Sequence, residues 1–126
     1  MGTIMSYWLS KSAEQGYVKG QYNLGKLYAR GIGVKASNAT AAKWYRKAAD
    51  QGYDKAQFYL GLLLLEGRGL KKDPAEAVQL IRRAADQDNV EAQFQMGYLH
   101  EKGGSVQKDY EQAAYWSGLF NAGELG

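Results

Sequence analysis

The sequence predicts an all-α fold, a curved solenoid of about three and a half helix–turn–helix repeats. Three observations carry that expectation. The segment AQFYLGLLLLEGRG at residues 56–69 recurs as GQYNLGKLYARGIG at 20–33 and as AQFQMGYLHEKGGS at 92–105, each copy 36 residues away. Within each copy, apolar residues stand three apart, the spacing of one helical face. Glycines close each copy at a place suited to a left-handed helix cap. Units of this period cannot bury their apolar faces alone, so they stack on their neighbours.

Residues 1–16 read as one amphipathic helix. SYWLSKSAEQG (6–16) aligns with AKWYRKAADQG (42–52) at the same 36-residue offset, placing Trp8 on Trp44, Lys11 on Lys47, Ala13 on Ala49 and Gln15 on Gln51. The chain therefore begins with the second helix of a repeat. Three full repeats follow without a gap, at 17–52, 53–88 and 89–124, and 1–126 reads as a single domain. The first two repeats share 16 of 36 residues. On the first helix of each, Leu24, Leu60 and Met96 pair with Leu27, Leu63 and Leu99 as an apolar stripe. Gly25, Gly61 and Gly97 follow. A glycine inside a helix costs about 1 kcal/mol against alanine, so its recurrence predicts close approach of another helix. Gly31, Gly67 and Gly103 are expected to cap these helices in the left-handed region, with Val34, Leu70 and Val106 anchoring the loops below.

The second helices are expected to open at Ser37, Asp73 and Asp109, whose side chains suit the N-cap. Pro74 falls at the first helical position, where its missing N–H does no harm. Glu76 and Gln112, three residues beyond their caps, suggest capping boxes. Ala41, Ala77 and Ala113, then Trp44, Leu80 and Trp116, then Ala48 and Ala84 are expected to form the buried face. Gly52 ends the second helix of its repeat, and Asp88 takes that place in the next.

Composition narrows the function classes. A hydrophobic share of 45% over 126 residues suits one globular domain and excludes a disordered chain. The absence of cysteine removes disulfides, thiolate metal sites and thiol catalysis. It fits a cytoplasmic location, or a periplasmic or secreted one where a signal peptide has been trimmed. MGTIMSYWLSKSAEQG has no basic start and no long apolar core, so it is not expected to be a signal peptide. The apolar run Leu62–Leu65 falls far short of the ~20 residues a membrane span needs.

Net charge is +3. Residues 1–52 carry eight basic groups against Glu14 and Asp50, giving +6, and residues 53–126 carry eight basic against eleven acidic groups, giving −3. Lys43, Arg46 and Lys47, Lys71 with Lys72, and Arg82 with Arg83 are interspersed with acids rather than forming a continuous stripe, so a nucleic-acid partner is not expected.

Catalytic chemistry finds no convergent constellation. His100 aligns with Tyr28 and Leu64 and reads as a half-buried packing residue. GIG and GRG are helix-ending turns rather than phosphate loops. DQDNVE at 86–91 lacks the central glycine and distal glutamate of a calcium loop. No catalytic residue, cofactor or metal is expected, and the chain reads as a non-enzyme.

LGKLYARGIGV together with AAKWYRKAADQG resembles the Sel-one-like repeat, a relative of the tetratricopeptide repeat. Gly31, Gly33, Val34 and the WYRKAADQG ending carry the match, which covers residues 5–124. The resemblance implies a right-handed superhelix whose first helices line the concave face. It also implies an adaptor that holds protein partners, or alternatively a bacterial immunity or antitoxin-like inhibitor of one partner enzyme. Four departures stand out: Gly20 where Ala56 and Ala92 recur, Ser105 for the second loop glycine, Leu80-Ile81 for Trp-Tyr, and YWSGLFNAGELG at the end.

On the first helices one row is expected to face a protein or peptide partner. It comprises Asn23, Lys26 and Arg30, then Tyr59, Leu62 and Glu66, then Gln95, Tyr98 and Lys102, with Tyr59, Leu62 and Tyr98 as anchors. The terminal helix turns its outer face apolar at Tyr115, Leu119 and Phe120, and the first helix does so at Ile4, Met5 and Tyr7. Self-association as a homodimer through these terminal helices is the accompanying expectation.

Overall fold

The computed structural model describes the backbone of residues 2–103 and 109–125, with side chains for 4–103, 109 and 111–118. Within them lie seven helices and no strand: α1 (Gly2–Glu14), α2 (Val18–Arg30), α3 (Asn38–Asp50), α4 (Asp54–Glu66), α5 (Pro74–Ala85), α6 (Val90–Lys102) and α7 (Tyr110–Leu125). Each packs on its neighbours in sequence, so the fold is an all-α solenoid. Among the described residues no helix is long and apolar enough to cross a membrane.

The turns repeat as faithfully as the helices. Gly31 and Gly67 end α2 and α4 at φ 69° and 70° in the left-handed region, their N–H groups bonded to Leu27 and Leu63 carbonyls. Ser37 and Asp73 accept from the N–H groups of Thr40 and Glu76, and Asp109 accepts from Gln112. The N–H of each cap residue has its own recurring acceptor: Ser37 to Tyr28, Asp73 to Leu64 and Asp109 to His100, at 2.9, 2.9 and 3.0 Å. That bond folds each second helix back along its first. It also changes the expected capping box. The Asp73 N–H is already occupied, so the Glu76 carboxylate pairs across the repeat boundary with Arg46 instead.

The helical glycines mark the tightest contacts. A Cβ at Gly25 would lie 2.7 Å from the Tyr45 ring, and one at Gly61 would lie 2.6 Å from Ile81. The second helix therefore approaches the first more closely than any side chain allows. Gly20 has a different cause. Its Cβ would meet Ser12 Oγ at 2.3 Å, and Ser12 stands where later repeats carry Ala48 and Ala84. Bulk has simply moved across the contact.

Three expectations need correction. Trp44 is only half-buried, whereas Tyr45 is 4% exposed and forms the core face with Ala41 and Ala48. The i, i+4, i+7 spacing of 41, 45 and 48 selects Tyr45, and the ammonium groups of Lys43 and Lys47 lie over the Trp44 ring instead. Gly103 has φ 75° but ψ −155°, outside the left-handed helical region. The chain leaves α6 extended there, in a conformation open essentially to glycine alone. Half of the capping box at Glu76 is the third, as given above. Val34 and Leu70 pack under their loops as expected, and Val106 lies outside the described residues.

A glutamine at the same position of each repeat is buried on an otherwise apolar face. Gln21, Gln57 and Gln93 donate to the carbonyls of Ala13, Ala49 and Ala85, each eight residues earlier, at 3.3, 3.5 and 3.3 Å. Gln51 and Gln87 then donate to the carboxamide oxygens of Gln21 and Gln57 at 2.8 Å. The same three carbonyls also accept from the N–H groups of Gly16, Gly52 and Asp88, so each glutamine amide fills a second acceptor site on a helix-end carbonyl.

Two outcomes follow from this architecture. Gln57→Ala removes the bonds to the Ala49 carbonyl and from the Gln87 amide, each of which keeps a second partner in the Gly52 N–H and the Arg83 carbonyl, and should destabilise the chain by roughly 1–2 kcal/mol in urea unfolding; a loss no larger than that of Gln51→Ala, at an exposed turn, would refute the bridging role. Asp88 has φ 66° where Gly16 and Gly52 have 90° and 89°. Asp88→Gly should therefore stabilise by about 0.5–1 kcal/mol in the same assay, and an unchanged or lower midpoint would count against backbone strain there.

Candidate functional site

Two grooves open along the first-helix row. The first, about 380 Å³, lies between α1 and α2 and is lined by Met5, Leu9, Asn23, Lys26, Leu27, Arg30 and Ile32. The second, about 250 Å³, is lined by Ala29, Asn38, Tyr45, Tyr59, Leu62, Leu63, Glu66 and Arg68. A shift of 36 residues carries Leu9 onto Tyr45, Asn23 onto Tyr59, Lys26 onto Leu62, Leu27 onto Leu63, Arg30 onto Glu66 and Ile32 onto Arg68. The two are one groove repeated with different side chains. All six row residues expected from repeats one and two line it. In the third repeat the same register falls on Gln95, Tyr98, Leu99 and Lys102. Tyr98 is 46% exposed, Gln95 half-buried, and the Lys102 ammonium stands 5.8 Å from the Tyr98 ring.

The floor between the grooves is aromatic. Tyr22 stacks near Tyr45, Tyr53 and Tyr59 with ring centroids 5.9, 5.3 and 6.2 Å apart, and Tyr45 lies 6.0 Å from Tyr59. Tyr59 is half-buried in this cluster, and its hydroxyl donates to Glu91 at 3.4 Å. It is a wall of the groove as much as an anchor, and Leu62 is likewise half-buried. Burial raises the Tyr22 phenol to about 12, helped by the fields of Tyr59, Tyr53 and Glu91 and opposed by Arg30. Burial also raises Tyr45 and Tyr59, the latter with help from Glu91, and Arg30 again opposes both. The Arg30 guanidinium thus acts on three phenols and lines the first groove as well.

Charge differs between the two copies. Neither Lys26 nor Arg30 forms an ion pair among the described residues, and Lys26 lies 5.4 Å from the Tyr22 ring. In the second groove Glu66 is paired with Arg68 at 2.6 Å.

Other expected positions fall elsewhere. Tyr115 is 57% exposed on α7, whereas the side chains of Leu119 and Phe120 lie outside the described residues. Ile4, Met5, Tyr7 and Trp8 are exposed on α1. His100, expected at the edge of the stripe, is buried, with its Nε2 3.4 Å from Arg82 Nη2. Asp86, Asp88 and Glu91 are exposed on the turn and the start of α6, where Asn89 caps the helix through Ala92 and donates to Asp54.

The sequence reading did not foresee Leu9, Ile32, Asn38 and Arg68 as groove walls, nor the tyrosine cluster. The tyrosines at 22, 45 and 59 carried a signal, since each is an aromatic residue at a helical position facing the next repeat. A third depression of about 330 Å³ was also unforeseen. It lies on the second-helix side between Lys43, Arg46, Lys47 and the loop at Gly69 and Leu70. Gly69 is essential to it, because a Cβ there would lie 2.4 Å from the Ala39 nitrogen.

Comparison with known proteins agrees with this architecture. The model of the Sel1 repeat matches residues 7–17, 18–53, 54–89 and 90–118. A protective antigen with an SLR fold from uropathogenic Escherichia coli strains is similar in structure, with TM-score 0.89 and 40% identity over 91% of this chain and 25% of that one. A Sel1 repeat protein from Oxalobacter formigenes is similar with TM-score 0.91 and 32% identity over 98% of this chain and 50% of that one. The chain spans a quarter of the first protein and half of the second. Among curated proteins none matches the sequence.

The phenol cluster has a measurable consequence. A raised folded pKa means the folded chain holds the proton more tightly. Stability is therefore intact below the ordinary tyrosine value of 10.0 and is lost as pH rises from there through about 12. Tyrosinate absorbance of the folded chain should show a late class, from which Tyr22→Phe removes one group. A Tyr22→Phe variant that instead loses a group near pH 10 would disprove the burial effect.

Proposed function

The chain belongs to the Sel1 repeat family, and on that premise we propose that it is a non-enzymatic interaction module. It takes an extended segment of a protein partner along the row of grooves on its first helices. The carrying observation is the recurrence of one groove at 36-residue spacing with different walls at each step. A solenoid of this kind presents a long surface whose successive pockets meet successive residues of a bound chain. Leu24, Gly25 and Leu27 recur as Leu60, Gly61 and Leu63 to hold the helices together. Asn23, Lys26 and Arg30 give way to Tyr59, Leu62 and Glu66, which leaves those positions for recognition. The first helices line the concave face in this reading, as the family resemblance implies.

Photo-crosslinking tests the face directly. Benzoyl-phenylalanine placed at Asn23, Arg30 or Tyr98 should capture the same partner protein from native extract. The same group at Lys43, Gln79 or Ala114, on second helices, should not. Capture from the second helices alone would overturn the assignment, whereas one stoichiometric captured enzyme, inhibited on binding, would favour the immunity-like reading.

A further inference from the structure

The first groove is the larger and more basic copy of the second, and the cause can be named residue by residue. Leu9 stands where the second groove has Tyr45, and Asn23 where it has Tyr59. Two rings are replaced by smaller side chains, and the volume is about 380 Å³ against about 250 Å³. The floor stays apolar through Leu9, Leu27 and Met5. One wall changes sign: Lys26 and Arg30 replace Leu62 and Glu66, and no carboxylate lines the first groove. The Glu66–Arg68 pair that neutralises the second groove has Arg30 and Ile32 as its counterparts. The whole segment 1–52 carries +6.

We propose that the groove between α1 and α2 binds an acidic protein segment carrying a bulky aliphatic residue. The aliphatic side chain enters between Leu9 and Leu27, and the neighbouring carboxylates meet Lys26 and Arg30. This deepens the groove-row reading and rests on it. An apolar cavity of this size is at the lower end of the about 300–1,000 Å³ typical of ligand pockets, enough for one or two side chains. Arg30 is suited to carboxylate recognition because its planar fork can donate two parallel hydrogen bonds. Asn23, exposed beside it, offers a donor and an acceptor to the main chain of the bound segment. Beyond Arg30 the segment would pass the tyrosine cluster and the neutral second groove, so its acidic end lies over α2 and its less charged end over α4.

The test uses three pools of short fluorescein-labelled peptides and the full chain, read by fluorescence anisotropy. The first pool is built from Asp, Glu, Leu and Ile. The second replaces the acids with Asn and Gln, and the third replaces the aliphatics with Ser. The first pool should bind at least about tenfold more tightly than either other pool. Lys26→Gln with Arg30→Gln should weaken it by roughly tenfold or more and leave the second pool unchanged. Leu9→Tyr with Asn23→Tyr, which installs the walls already used at 45 and 59, should also weaken it. The Gln pair alters side chains that are not buried, so the test stands even if the filled groove unfolds the chain.

Equal binding of the first and second pools, or of wild type and the Gln pair, would overturn the proposal. So would a homodimer that the Leu9→Tyr, Asn23→Tyr pair dissociates, since a second copy would then own the groove. Failure of this inference alone leaves the crosslinks at Asn23, Arg30 and Tyr98 in place. Failure of the groove-row reading moves them to the second helices.

Discussion

The side chains of Gln21, Gln57 and Gln93 each reach back eight residues to a helix-end carbonyl, and that reach ties one repeat to the next. A helix leaves its last carbonyls without internal partners. Here those of Ala13, Ala49 and Ala85 accept once from the turn, at the N–H of Gly16, Gly52 and Asp88, and face the start of the following helix. The carboxamide adds a second hydrogen bond to the carbonyl, and the oxygens of Gln21 and Gln57 accept from Gln51 and Gln87 at the next boundary. Successive boundaries are thereby tied to one another by hydrogen bonds, whose directionality fixes an angle that apolar contact alone would leave loose. The same boundary carries a second bond, from the N–H of Tyr17, Tyr53 and Asn89 to the carbonyls of Ser12, Ala48 and Ala84, at 3.2 Å each time.

Fixed stacking is what lets side chains vary without moving the backbone. The glycines at 25 and 61 accept a ring from Tyr45 and a branched side chain from Ile81 at nearly the same distance. The N-cap bonds to Tyr28, Leu64 and His100 differ by only 0.1 Å. Against that constancy the groove positions change in size and sign from repeat to repeat. The division is physical rather than statistical. A residue whose Cβ points between two helices is held by close packing, whereas one that points across the groove answers only to solvent or a partner.

The period, the caps at Gly31, Gly67, Ser37, Asp73 and Asp109 and the first-helix stripe were legible in the sequence because each is set by local chemistry that recurs along the chain. The row Asn23, Lys26, Arg30 and its counterparts was legible for the same reason, since helical spacing fixes which residues share a face. What escaped reading depends on contacts between elements. Trp44 and Tyr45 are adjacent aromatics, and only the line through Ala41 and Ala48 shows which one enters the core. Glu76 carries a capping-box spacing, but the Asp73 N–H was already taken by Leu64. The buried glutamines were visible as a polar residue repeated three times on an apolar face, yet their acceptors lie across a helix boundary. The groove walls at Leu9, Ile32, Asn38 and Arg68 come from two helices and two loops, and no helical pattern unites them.

The tyrosine cluster also bears on how the row presents itself to a partner. Phenols at 22, 45 and 59 are held in their neutral form by burial, with Glu91 adding to it at 22 and 59. They keep their protons well past neutral pH and remain hydrogen-bond donors with apolar faces. Tyr22 and Tyr45 are buried beneath the surface, so the half-buried Tyr59 ring is the part of the cluster within a partner's reach. Arg30 stands at the edge of the same cluster, lowering the phenols' pKa values against the burial effect while its own charge faces the first groove. Arg30, with Lys26 beside it in the first groove, therefore stands at the boundary between an aromatic stretch and a basic one, and a bound segment would be read in one direction because the two sides of that boundary are chemically unlike.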